Sequence, residues 1–116
     1  MDYTNIISEK SKYADDVYIV KVSGRLDAQP SDNLENELIN LINSGKKKLI
    51  LDLSGVSYLG SSGIRVFLGI ANKLKKIDGA LKIVNMPATG IKIIQAMEIE
   101  NRFEIFNSEE DAIKTF

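Results

Sequence analysis

The sequence predicts a single α/β domain with a mixed sheet of four to five strands, parallel inner strands and about four helices. Short runs of β-branched and aliphatic residues alternate along the chain with segments whose apolar residues recur at helical spacing. The run Leu49-Ile50-Leu51 is continuously apolar, which is typical of a central strand covered on both faces. This alternation favours parallel strands joined by right-handed helical crossovers.

The strands are predicted from their β-branched content. Residues 17–23 (VYIVKVS) form one strand, and residues 3–8 form a preceding strand that pairs with it in antiparallel fashion. The central strand covers residues 49–53, and further strands follow at residues 80–84 and 103–106. The segment Gly24-Arg25-Leu26-Asp27 is predicted to leave the 17–23 strand, and the central strand is predicted to run into a turn.

The helices are predicted from apolar spacing and from terminal residues. Pro30 suits the first turn of a helix that ends at Gly45, and Asp78-Gly79 ends the next helix. A short third helix follows Pro87, and Ser108 caps a fourth whose first turn is acidic. The apolar positions expected to face the core are Leu34, Leu38, Leu41, Ile42, Ile64, Phe67, Leu68, Ala71, Leu74, Ile91, Ile93, Ile94 and Met97.

Two further expectations concern the core. Val66 and Ile70 lie beside the main apolar stripe of the second helix, and burial under neighbouring elements is expected for both. Met86 and Met97 are expected to fill gaps between larger side chains, because methionine is flexible enough to do so.

Composition narrows the possible functions. The 116 residues correspond to one domain, expected to span residues 1–116. With 15 basic and 16 acidic residues there is no basic excess for nucleic acid or for an anionic membrane, so neither is predicted as a partner. Without a signal peptide or an apolar run of roughly 18 residues, a soluble cytoplasmic protein is expected.

The chain contains neither histidine nor cysteine. Their absence removes Ser-His-Asp and Cys-His catalysis, as well as imidazole and thiolate metal ligands. The sequence also lacks a GxSxG nucleophile elbow and a phosphate-binding GxxxxGK loop. We therefore predict that the protein is not an enzyme and uses no catalytic residue, cofactor or metal.

The segment Gly60-Ser61-Ser62-Gly63 places two hydroxyls at the start of an apolar helix. Free backbone N–H groups and the helix dipole favour negative charge there. A phosphate on one of these serines would be stabilised and would change the surface by about −1.5 to −2 charges at pH 7. The simpler interpretation is a serine N-cap flanked by turn glycines, with Ser62 as the cap.

Several segments of the chain, taken together, carry a resemblance to a known family: Gly24-Arg25-Leu26-Asp27, Asp52-Leu53-Ser54-Gly55-Val56, Ser61-Ser62-Gly63-Ile64, Val84-Asn85 and the FEIF strand with the acidic helix after it. Through these segments the sequence resembles the anti-sigma factor antagonists of the STAS (sulfate transporter and anti-sigma antagonist) superfamily over nearly its whole length. The resemblance implies a STAS-type fold. In place of the aspartate that commonly precedes the phosphorylated serine of this family, the chain has Gly60.

The resemblance also implies a mechanism. Ser61 matches the serine that is phosphorylated by an anti-sigma factor, itself a serine kinase. The unphosphorylated antagonist binds this anti-sigma factor and frees the sigma factor, and a metal-dependent serine phosphatase resets the phosphorylated form. A monomer or weak dimer is expected. The residues assigned to partner binding are Asp27, Gly60, Ser61, Ser62, Gly63, Ile64 and Arg65.

The sequence is also compatible with other functions and with other roles for Asp27 and Arg65. The domain could instead be a ligand- or nucleotide-sensing STAS module, or a signalling scaffold that does not act on a sigma factor, with the helix N-terminus holding a free anion. Asp27 could serve only as a loop carboxylate or local helix cap. Arg65 could be a solvated side chain, although its position four residues after Ser61 would let its guanidinium reach a phosphate.

Overall fold

A computed structural model describes residues 4–116, so Tyr3 of the predicted first strand lies outside the described residues. The strands are β1 (Asn5–Lys10), β2 (Tyr18–Leu26), β3 (Lys48–Leu59), β4 (Ala80–Val84) and β5 (Glu104–Phe106). They form one sheet in the order β1-β2-β3-β4-β5. The β1–β2 pair is antiparallel and the other pairs are parallel, which confirms the predicted fold class.

Four α-helices connect or follow these strands within the described residues: α1 (Ala28–Asn43), α2 (Ser61–Lys75), α3 (Ala88–Ala96) and α4 (Glu109–Ile113). A 3₁₀ turn at Glu100–Arg102 precedes β5. Gly45 ends the first helical segment with a φ of 95°, and Ser108 caps α4 by accepting the Asp111 N–H at 3.1 Å. Both terminal signals confirm the sequence prediction.

The core lies on both faces of the sheet. The larger apolar cluster fills the space between the sheet and helices α1, α2 and α3, and the smaller cluster lies beneath α4 around Ala112. The prediction that Ile91 of α3 faces the core is wrong, because this residue is 36% exposed. In α2, Val66 and Ile70 are buried as predicted, whereas Leu68 and Ala71 are only partly buried. The face of α2 that meets the core is therefore rotated toward Val66 and Ile70.

The two methionines differ. Met86 is buried as predicted, but Met97 is 50% exposed, so its prediction as a core residue is wrong. Met97 was predicted to extend the apolar face of α3, but α3 ends at Ala96 and Glu98 has a φ of 57°. The chain therefore turns away before Met97 can follow Ile94 into the core.

The two central strands are longer than predicted. The loop expected at residues 24–27 and the turn expected after residue 53 are wrong, because β2 continues to Leu26 and β3 to Leu59. Their far ends pair in parallel, with Arg25 opposite Tyr58. Two register shifts make this possible, one of them between Gly24 and Arg25, where Gly24 has a φ of 91°. The pairing outweighs the local preference of glycine and serine for turns.

Within residues 4–116, no helix has both the length and the apolar character needed to cross a bilayer.

Candidate functional site

The candidate site lies where β2 and β3 end and where α1 and α2 begin. The Gly60 N–H donates to the Leu26 carbonyl at 3.3 Å, which joins the two chain segments directly after the strands. Asp27 and Ser61 therefore start the helices at the same edge of the sheet, as expected for parallel strands with helical crossovers.

Gly60, and not Ser62, is the N-cap residue of α2. It has an extended backbone (φ −100°, ψ 178°) and its carbonyl accepts the N–H groups of Gly63 at 3.1 Å and Ile64 at 3.4 Å. No side chain caps this helix, so the prediction of a Ser62 cap is wrong. The Ser62 Oγ instead lies 3.4 Å from the Oγ of buried Ser31, between α1 and α2.

Ser61 is the first residue of α2, and its side chain is exposed. The first turn of this helix contains no acidic residue, and the N–H groups of Ser61 and Ser62, which precede those that donate to Gly60, have no intrahelical acceptor. The positive end of the helix dipole is thus uncompensated beside an accessible hydroxyl. This geometry suits a group that gains negative charge, as a phosphorylated serine does.

Asp27 is the N-cap residue of α1 through its backbone alone. Its carbonyl accepts the Ser31 N–H at 3.0 Å, while its carboxylate makes no capping hydrogen bond. The carboxylate instead accepts from Arg25, with an Nε–Oδ2 distance of 3.3 Å. Because both side chains are nearly half exposed, this ion pair contributes little to stability and leaves the carboxylate accessible.

Tyr58 and Arg25 complete the edge; Arg25 belongs to the Gly24-Arg25-Leu26-Asp27 segment but had no role predicted from the sequence, and Tyr58 had none either. The Arg25 guanidinium carbon lies 4.4 Å from the centroid of the Tyr58 ring. The same ring lies against Gly60, where a β-carbon would be 3.1 Å from Tyr58 Oη. The ring thus fills the space into which a side chain at residue 60 would project. The pair is formed by the far ends of β2 and β3, which are both longer than the sequence predicts, so no local signal identified it.

The predicted partner-binding residues do not all reach the surface. Gly60, Gly63 and Ile64 are buried, whereas Arg65 is exposed one helical turn after Ser61. Asp27, Ser61 and Arg65 are therefore left to contact a partner, with Ser62 partly buried behind them, and the prediction that Gly60 contacts a partner is wrong because the Tyr58 ring lies against it.

Three surface pockets of the described residues lie elsewhere, and none of the three is lined by Ser61, Ser62 or Arg65. The pocket of about 330 Å³ lies near the end of α2, around Asn72, Lys75 and Arg102. Residues 4–116 also bring no three histidine, cysteine or acidic side chains together as a metal site would require. The candidate site is an exposed edge without a cavity of this kind.

The sequence model of the STAS domain matches residues 10–112, and the chain belongs to this family. Among curated relatives, the putative anti-sigma factor antagonist BtrV of Bordetella bronchiseptica is 26% identical over 102 residues, covering 88% of each chain. The anti-sigma-B factor antagonist of Staphylococcus epidermidis is 35% identical over 72 residues, which cover 62% of this chain and 67% of the relative.

Solved structures agree on the fold. An anti-sigma factor antagonist from Mycobacterium paratuberculosis matches with a TM-score of 0.85 and 24% identity, over 98% of this chain and 94% of that one. The Bacillus cell fate determinant SpoIIAA in its phosphorylated form matches with a TM-score of 0.73 and 20% identity, over 96% and 98%. At these identities the likeness concerns the fold alone.

Proposed function

We propose that this protein is an anti-sigma factor antagonist formed by residues 1–116 as one domain. In its unphosphorylated form it binds an anti-sigma factor that is a serine kinase, and the bound kinase releases its sigma factor. The observation that carries this proposal is the exposed Ser61 hydroxyl at the uncapped N-terminus of α2. Membership in the STAS family supports it, as does the similarity to anti-sigma factor antagonists of other bacteria.

Phosphorylation of Ser61 by the kinase switches this binding off. The phosphate adds about −1.5 to −2 charges at pH 7 in the middle of the contact surface. Unfavourable charge and desolvation at an interface cost several kcal/mol, and each 1.4 kcal/mol is about tenfold in affinity. A penalty of about 3–4 kcal/mol therefore weakens binding by roughly 10²–10³. A metal-dependent serine phosphatase restores the binding form.

The switch requires no large rearrangement of the fold. Gly63 and Ile64, immediately behind Ser61, are buried in the core, so the start of α2 is held firmly. Charge can thus be added at Ser61 while the scaffold stays in place. The backbone of Gly60, with a φ of −100°, is available to any residue, so the close approach of the Tyr58 ring, and not the backbone conformation, favours glycine at this position.

The test is affinity capture from native lysate with three baits: wild type, Ser61→Asp and Ser44→Asp. Ser44 follows α1, before β3, and Ser61 follows β3, so the control adds the same charge at the opposite end of the sheet. The proposal predicts that wild type and Ser44→Asp retain a serine-kinase-like anti-sigma factor, identified by mass spectrometry, and that Ser61→Asp loses it. Retention of no such protein by wild type, or equal retention by Ser61→Asp, would contradict it.

A further inference from the structure

We propose that Arg25, stacked on Tyr58, is a specificity-determining contact that binds a carboxylate of the anti-sigma factor beside Ser61. This inference rests on the proposed function and adds the chemistry by which the partner is recognised. It assigns a role to two residues outside the serine turn, on strands β2 and β3.

The pair is placed at the edge of the candidate site by strand pairing. Arg25 is opposite Tyr58, and Leu26 is opposite Leu59 at the next position. Both leucines are buried in the cluster that faces α1 and α2. Because side chains alternate along a strand, Arg25 and Tyr58 point to the other face of the sheet, which these helices do not cover.

The pair is held in position before any partner arrives. Tyr58 supports the guanidinium at 4.4 Å from its centroid, and Asp27 accepts its Nε at 3.3 Å. The ring is held against Gly60, which offers no side chain to displace it. A side chain ordered in advance loses little conformational entropy on binding, which favours its use as an anchor.

The guanidinium has donors left for a partner. Among the described residues its one hydrogen bond is through Nε, so Nη1 and Nη2 donate to no atom of residues 4–116. Its side chain is 44% exposed, as is the neighbouring Tyr58 residue. Two parallel N–H groups of a guanidinium match a carboxylate in bidentate geometry, and arginine and tyrosine are common among interface residues that dominate affinity.

This assignment also explains how the switch acts. A partner carboxylate at Arg25 lies beside the segment in which Gly60 is hydrogen bonded to Leu26 and Ser61 follows. A phosphate on Ser61 repels that carboxylate, so modification opposes the same contact that provides recognition.

The test uses the anti-sigma factor retained by the wild-type bait, purified and titrated by calorimetry at two salt concentrations. We expect Arg25→Gln to bind about tenfold more weakly and with a smaller salt dependence than wild type. Tyr58→Leu, which removes the stacking ring, is expected to bind several-fold more weakly, and Tyr58→Phe to bind as wild type does. Arg102→Gln, an exposed arginine at the far 3₁₀ turn, is the matched control for lost charge.

The outcomes separate the two proposals. If wild type binds, Ser61→Asp does not, and Arg25→Gln and Tyr58→Leu both bind with wild-type affinity and salt dependence, the Arg25 assignment is overturned and the antagonist function stands. If wild type retains no anti-sigma factor, both are overturned. A thermal melt of each variant shows whether it is folded, and the salt dependence separates a lost charge contact from a general loss of structure.

Discussion

Leu59 packs directly against the α-carbon of Gly63, where a β-carbon would lie 2.6 Å from Leu59 Cδ1. The end of β3 and the first turn of α2 therefore touch without an intervening side chain. Gly63→Ala is expected to lower the free energy of unfolding by about 1–3 kcal/mol, because either the helix or the leucine has to move. Urea denaturation followed by circular dichroism measures this change.

Gly69, in the same helix, is the matched control for this substitution. A β-carbon there would meet no atom within 4 Å. Gly69→Ala is therefore expected to raise the free energy of unfolding by about 0.5–1 kcal/mol through helix propensity alone. If both alanine variants are stabilised, the close approach of Leu59 to Gly63 does not constrain the fold.

A negative charge at Ser61 is expected to stabilise the isolated protein. The first turn of α2 contains no acidic residue. The interaction of the new carboxylate with the helix dipole is therefore expected to raise the free energy of unfolding of Ser61→Asp by about 0.3–1 kcal/mol. Ser44→Asp places the same charge at the C-terminal end of α1 and removes a hydroxyl that donates to the Leu41 carbonyl, so it is expected to be destabilising. Thermal melts at low ionic strength compare the two, and a destabilised Ser61→Asp would contradict the dipole argument.

Lys82 is a buried cation that depends on one carboxylate. Its side chain is 3% exposed, and its Nζ donates to Glu104 Oε1 at 2.9 Å while the rings of Phe106 and Phe116 lie nearby. Glu104→Ala is expected to lower the free energy of unfolding by about 1–3 kcal/mol, because the Lys82 ammonium loses its protein acceptor. Lys82→Met is expected to be nearly neutral, since an apolar chain of similar size suits the site.

The double variant tests this explanation of the pair. In the Lys82→Met background, Glu104→Ala is expected to cost little, so the two effects are non-additive. Chemical denaturation of wild type, the two single variants and the double variant gives the coupling free energy between Lys82 and Glu104. Additive costs would mean that Glu104 supports β5 in some way that does not involve the lysine.

Asp16 is expected to contribute to the pH dependence of stability. The hydrogen bond from Lys48, with an Nζ–Oδ2 distance of 2.7 Å, lowers the pKa of Asp16 below its ordinary value. A carboxyl with a lowered folded pKa stabilises the fold above its unfolded pKa and loses this effect as pH falls through the folded pKa. The melting temperature of Asp16→Asn is therefore expected to lie slightly below that of wild type at pH 7, and the difference is expected to shrink as the pH falls below about 4 and to vanish once the pH is below the lowered folded pKa of Asp16.

Asp15→Asn is the control, since Asp15 is exposed and makes no ion pair among the described residues. At pH 7 the melting temperature of Asp15→Asn is expected to differ less from that of wild type than the melting temperature of Asp16→Asn does. An Asp16→Asn difference that persists unchanged to acid pH would show that charge on Asp16 is not its cause.

Much of the fold could be predicted because its signals are local. The spacing of apolar residues identified the helices, and the run around Ile50 identified the central strand. The errors came where a long-range contact decided the outcome. Gly55 and its neighbours suggest a turn, yet the β-carbon position of Gly55 lies 2.7 Å from Ser23 Cβ, against the adjoining strand. Pairing with β2 holds this segment extended, and no local preference could reveal that.

The candidate site also combines features that residue identity and order determine with features that depend on tertiary contacts. The sequence by itself determined that two serines begin an apolar helix, that the histidine and cysteine chemistries are absent, and that the chain resembles the STAS family, because these depend on residue identity and order. Only the tertiary structure decided that Ser61 is exposed while Ile64 is buried, and that Arg25 stacks on Tyr58. Those facts depend on the register between β2 and β3, which is set by the packing of the whole sheet and not by any single segment.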